Sequence, residues 1–146
     1  LSRVRARVDI AAPVEEVFAF FDDLGNAAVL VPQLAEIGHV EARPGGGRTV
    51  EYTTRGRGGS VHEARSEHLV YEPPRRTVTE NVQSGVRTTL TREFVPIDGG
   101  TRVEARLEWH LSVRYVAGIV SWPLRRPYRR ALRDALKSAR AALEDG

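Results

Sequence analysis

The sequence predicts an α+β domain in which a curved, seven-stranded antiparallel sheet wraps round one long C-terminal helix, with two short helices after the first strand. Three observations predict it. Seven segments alternate apolar and polar residues with the period of two that buries one strand face and wets the other. Glycine or proline marks most of the gaps between them. The chain then closes on a pattern of helical period about as long as such a sheet is wide. With 146 residues, 41% of them hydrophobic, there is material for one core, so residues 1–146 are read as a single domain.

Residues 3 to 10 alternate, with Val4, Ala6, Val8 and Ile10 on one side, and form the first strand. Pro13 followed by Glu15 and Glu16 starts a helix over 13 to 23, because proline suits a first helical turn and carboxylates favour its positive end. Val14, Val17, Phe18 and Phe21 supply its apolar stripe. A second helical piece, roughly Asn26 to Glu36, is interrupted by Pro32. Strands follow at 37 to 43, 48 to 57, 60 to 71, 75 to 83, 86 to 97 and 101 to 114. The last helix, about 124 to 144, comes after Trp122-Pro123 and Pro127, with Tyr128, Leu132, Leu136, Ala139 and Leu143 on one stripe.

Composition excludes several function classes. There is no cysteine, hence no disulfide or thiolate chemistry. The four histidines lack zinc-ligand spacing, so neither a metal nor another cofactor is expected. No apolar run long enough to span a membrane and no signal-peptide pattern is seen, so the expected location is cytoplasmic. The chain starts without methionine, so its natural start is expected to lie outside it. Net charge is +3, but both signs are mixed along the strands, which argues against a nucleic-acid surface. The exception is Arg125, Arg126, Arg129, Arg130 and Arg133, either a solvated helix face or a contact for anionic lipid or an acidic partner. The oligomeric state is not legible. Ser66, Glu67 and His68 are not a hydrolase triad, since neighbouring strand residues face opposite ways.

Turn positions give a register. A turn at Gly99-Gly100 sets Phe94 against Ala105, Arg92 against Leu107 and Leu90 against Trp109. Turns at Ser84-Gly85 and Pro73-Pro74 extend the inner row through Thr88, Asn81, Thr79, Thr77, His68 and Ser66. Charges at Glu63, Arg65 and Glu67 agree with that facing. The same register sends Val78 and Val82 outward, and a one-residue slip would reverse that strand. The expected ligand-binding residues are Tyr52, Ser66, His68, Asn81, Thr88, Arg92, Phe94, Leu107 and Trp109, with Leu111 as further apolar wall. An inward guanidinium at Arg92 needs a partner: either a ligand anion or, for a side chain near the cavity mouth, solvent at its tip or a neighbouring glutamate. His68 is either a proton-moving base or a core histidine bonded to Thr79 or Ser66.

The segments VDIAAPVEEVFAFFDDL, HLVYEPPRR, REFVPIDGGTRVEARLEW and RALRDALKSARAALE together resemble the START-like helix-grip superfamily, in its polyketide cyclase/dehydrase and lipid-transport group (SRPBCC). The resemblance covers nearly the whole chain and implies an elongated cavity between sheet and helix. Aromatase/cyclases of this superfamily carry an arginine where this chain has His68, cavity aromatics where it has His62 and Ala64, and a tyrosine where it has Ala35 to Ile37. Those departures count against direct transfer of that activity, for which Arg92 would have to substitute from another strand. The first expectation is therefore a protein that binds a hydrophobic or aromatic small molecule, lipid or polyketide-like, as carrier or sequestering protein. The alternatives are a polyketide cyclase, aromatase or dehydratase of secondary metabolism using His68 and Arg92, or a self-resistance binder in such a pathway.

Overall fold

A computed structural model describes residues 2–31, 33–111 and 117–145, without the side chains of Leu111 and of residues 117–123. Strand β1 (Ser2–Ile10) leads into α1 (Val14–Asp22), a 3-10 turn (Leu24–Asn26) and α2 (Ala27–Leu30). Six strands follow: β2 (Leu34–Ala42), β3 (Arg48–Arg55), β4 (Val61–Glu72), β5 (Arg76–Gln83), β6 (Val86–Ile97) and β7 (Gly100–Leu111). Helix α3 (Ala117–Asp145) closes the chain. All pairings are antiparallel, in the order β1-β7-β6-β5-β4-β3-β2. The helix grips the β1 and β7 side of the sheet. None of the described helices is long and apolar enough to cross a membrane.

The core forms where α1 and α3 meet the sheet. Val17, Phe18 and Phe21 of α1, and Leu132, Leu136 and Ala139 of α3, pack on Val4, Ile10, Phe94, Val103 and Trp109. Burial of the Phe94 and Trp109 rings contributes on the order of several kcal/mol. Across the sheet, Glu104, Arg106 and Glu108 face away from the core. Glu108 and Arg106 are half-buried there because Glu108 pairs with Arg106 at 2.9 Å and Arg3 at 3.6 Å.

Several boundaries differ from expectation. The second helical piece ends at Leu30, and Leu34 to Glu36 join β2, where pairing with β3 satisfies their backbone. Helix α3 begins upstream of both prolines. The β6–β7 turn uses Asp98-Gly99, with Gly99 at φ 81°, so Phe94 pairs with Val103 and Arg92 with Ala105. That two-residue offset preserves every facing. Gly100 instead answers a close approach, since a Cβ there would lie 2.0 Å from the Ile10 carbonyl oxygen.

The expected two-residue turn at Pro73-Pro74 is also corrected. Glu72 pairs with Arg76, leaving three residues in the loop, with a cis bond between the prolines. A bulge at Leu69 absorbs the extra residue, and His68–Thr79 and Ser66–Asn81 pair as expected. Residues 112 to 114, assigned to the last strand, lie outside the described residues. Arg125, Arg126, Arg130 and Arg133 are exposed and Arg129 half-buried on α3.

Candidate functional site

Between the sheet, α2 and α3 lies a cavity of about 360 Å³. Its apolar wall includes Phe21, Leu30, Val50, Leu90, Leu107 and the ring of Tyr128. Its polar points include Tyr52, Ser66, His68, Thr79, Asn81, Thr88 and Arg92, all reached through strand alternation, and Asp23 and Arg48 also line it. Seven of the nine expected ligand-binding residues thus stand on one wall: Tyr52, Ser66, His68, Asn81, Thr88, Arg92 and Leu107.

Phe94 and Trp109 do not. Both are on the inner face, but helices cover them. Phe94 is capped edge-on by Phe18 and Phe21, with centroids 5.1 and 5.5 Å away, and Trp109 by Tyr128 at 4.8 Å. They are core, because the inner face is cavity only where no helix reaches it. The Leu111 side chain lies outside the described residues.

Arg92 is the decisive side chain. Its guanidinium stacks over the Phe21 ring, 5.1 Å from the centroid, and has neither a hydrogen bond nor an ion pair among the described residues. Arg92 is half-buried, and desolvation lowers its pKa to about 10, so it stays charged at neutral pH. A full positive charge therefore faces the cavity without an ion pair among the described residues.

His68 sits two strands away and is held from one side. Its Nδ1 accepts the Arg48 backbone N–H at 3.0 Å, rather than the hydroxyl of Thr79 or Ser66. That acceptor role puts the proton of the neutral ring on Nε2, which has no hydrogen bond among the described residues. Burial, then the charge of Arg48, lowers its pKa, with Asp22 opposing and Arg92 and Arg43 adding to the shift. The glycine loop between β2 and β3 explains the close fit. A Cβ on Gly47 would lie 2.7 Å from His68 Cβ, and one on Gly46 would lie 3.0 Å from Tyr71 Cδ2.

The sequence reading missed the anchor beside this histidine. Tyr71 donates to Asp22 Oδ2 at 2.7 Å, while Arg48 pairs with Asp22 Oδ1 at 3.4 Å and donates to its carbonyl oxygen. This ties α1 to β3 and β4. Burial, then the Asp22 bond, raises the Tyr71 pKa. Burial likewise raises those of Tyr52 and Tyr128, so the cavity phenols are neutral at physiological pH. No sequence signal marks Tyr71, since simple alternation from His68 turns it outward and only the Leu69 bulge brings it in.

The family comparison decides the affiliation: residues 2–144 match the model described as polyketide cyclase / dehydrase and lipid transport. The chain belongs to that polyketide cyclase/dehydrase and lipid-transport family. Its helix-grip architecture recurs in solved structures of low identity, whose likeness is one of fold. The di-domain ARO/CYC StfQ from the steffimycin biosynthetic pathway superposes with TM-score 0.80 at 19% identity, over 98% of this chain and 50% of that one. The chain thus spans half of that protein. TTHA0849 from Thermus thermophilus gives TM-score 0.73 at 23% identity, over 99% and 98% of the two chains. NE0264 from Nitrosomonas europaea gives 0.75 at 15%, over 98% and 94%. No curated protein matches the sequence.

Proposed function

We propose that this chain encloses a hydrophobic or aromatic small molecule, lipid or polyketide-like, as a carrier or sequestering protein, with an anionic or phenolic group of the ligand on Arg92. The observation that carries the proposal is a guanidinium that has no ion pair among the described residues and faces a cavity with apolar walls. An isolated buried cation is costly, and a ligand carboxylate, phenolate or enolate would supply the missing partner through charge-assisted hydrogen bonds. Calorimetric titration with dodecanoic acid and para-phenylbenzoic acid tests it. Arg92→Leu should weaken both by roughly tenfold to a hundredfold. Dodecanol should bind both proteins alike. Equal affinity of the acids for wild type and variant would refute the assignment.

The second reading, a cofactor-independent polyketide cyclase, aromatase or dehydratase, is favoured by His68. Its neutral ring lines the same cavity with an Nε2–H that has no acceptor among the described residues, a donor for a substrate carbonyl, while Arg92 would stabilise a developing enolate. On this reading His68→Ala lowers turnover by roughly a hundredfold with little change in substrate binding. Product analysis by mass spectrometry with a poly-β-keto substrate separates the two, because a carrier forms no product.

A further inference from the structure

The cavity wall is built from three successive cross-strand rows of different chemistry. In the first, Arg92 stands between Thr77 and Ala105. The second sets His68 and Thr79 beside the apolar pair Leu90 and Leu107. The third places Ser66, Asn81 and Thr88 directly opposite one another on β4, β5 and β6. None of these three side chains hydrogen-bonds to another described residue, although all three are half-buried and line the cavity. Side chains directly opposite on neighbouring strands act as one surface.

Two hydroxyls and an amide offer both donors and acceptors and carry no charge. They suit a neutral hydroxyl or carbonyl oxygen and would desolvate a second anion without compensating it. Thr88 and Arg92 are four residues apart on one strand, which is about 14 Å of backbone. Leu90, between them, and Leu107 supply an apolar floor. We infer that the cavity selects a two-ended ligand, with an anionic group at Arg92, an apolar or aromatic body over Leu90 and Leu107, and a neutral hydroxyl or carbonyl at Ser66, Asn81 and Thr88. This rests on the ligand-binding reading above.

Two pairs of probes test it: dodecanoic acid with ω-hydroxydodecanoic acid, and para-phenylbenzoic acid with its distal para-hydroxy derivative. In at least one pair the hydroxylated member should bind wild type roughly threefold to tenfold more tightly, the range of one neutral hydrogen bond. That gain should shrink in the near-isosteric variants Asn81→Leu and Thr88→Val, whose folding is checked by circular dichroism. In Arg92→Leu the gain should persist while both members weaken alike. Dodecanedioic acid should bind less tightly than the ω-hydroxy acid. Equal affinity within both pairs, or a gain undiminished in both polar-row variants, overturns the two-ended ligand and leaves the Arg92 assignment standing. Failure of all these acids to bind wild type overturns both.

Discussion

Replacing Arg92 with leucine should make the ligand-free protein more stable. Burial lowers the guanidinium pKa from 12.5 to about 10. At 1.36 kcal/mol per pKa unit, holding the charge at this half-buried site costs at most about 3 kcal/mol relative to water. Stacking over Phe21, 5.1 Å away, returns about 1 kcal/mol. Leucine keeps most of the apolar stem and removes the charge, so a net gain of up to about 2 kcal/mol is expected. Urea unfolding would read it as a higher midpoint at unchanged slope. Saturating para-phenylbenzoic acid should narrow the gap, because ligand stabilises only a protein that binds it. A loss of about 1 kcal/mol or more in the variant would refute the reasoning, since it would mean that the protein itself satisfies the guanidinium.

Three further outcomes are expected. Gly47→Ala combines φ 80° with a Cβ 2.7 Å from that of His68 and should cost about 2–4 kcal/mol in thermal unfolding. Gly45→Ala, at φ 86° but in open space, should cost only about 1 kcal/mol, and equal losses would show that the loop does not press on His68. Tyr71→Phe removes the 2.7 Å bond to Asp22 and should cost about 1–2 kcal/mol in urea unfolding, with an unchanged midpoint counting against the anchor. His68 has a folded pKa below its ordinary 6.5, so the unfolded chain binds more protons between the two values. Its contribution to stability is therefore present above pH 6.5 and lost as pH falls through the folded pKa. Proton NMR should give a His68 midpoint below 6.5, and His68→Gln should flatten this part of the stability profile; a midpoint above 6.5 would contradict the burial.

Alternation made most of the sheet legible, because a period of two survives errors that preserve parity. The β6–β7 turn lies one residue from its expected place, yet Arg92, Leu90 and Thr88 keep their facing. Around the prolines two departures compensated, a three-residue loop and the Leu69 bulge. That bulge hid Tyr71, whose inward turn depends on a backbone irregularity without a side-chain signature. The cavity's extent was less legible than its wall. Phe94 and Trp109 alternate correctly, but contacts with Phe18, Phe21 and Tyr128, distant in sequence, make them core. The helical contribution to the cavity from Ala27, Leu30 and Val31 depends likewise on where α2 docks. His68 was visible as an inward residue, whereas its Arg48 backbone donor follows from the glycine loop's close approach.

The most direct test of a ligand anion on Arg92 is a crystal structure of the protein with para-phenylbenzoic acid. The carboxylate oxygens are expected within about 3 Å of the Arg92 guanidinium nitrogens, with the rings along Leu90 and Leu107. A carboxylate bound away from Arg92, or a molecule held only on the outer surface with the cavity empty, would contradict the account.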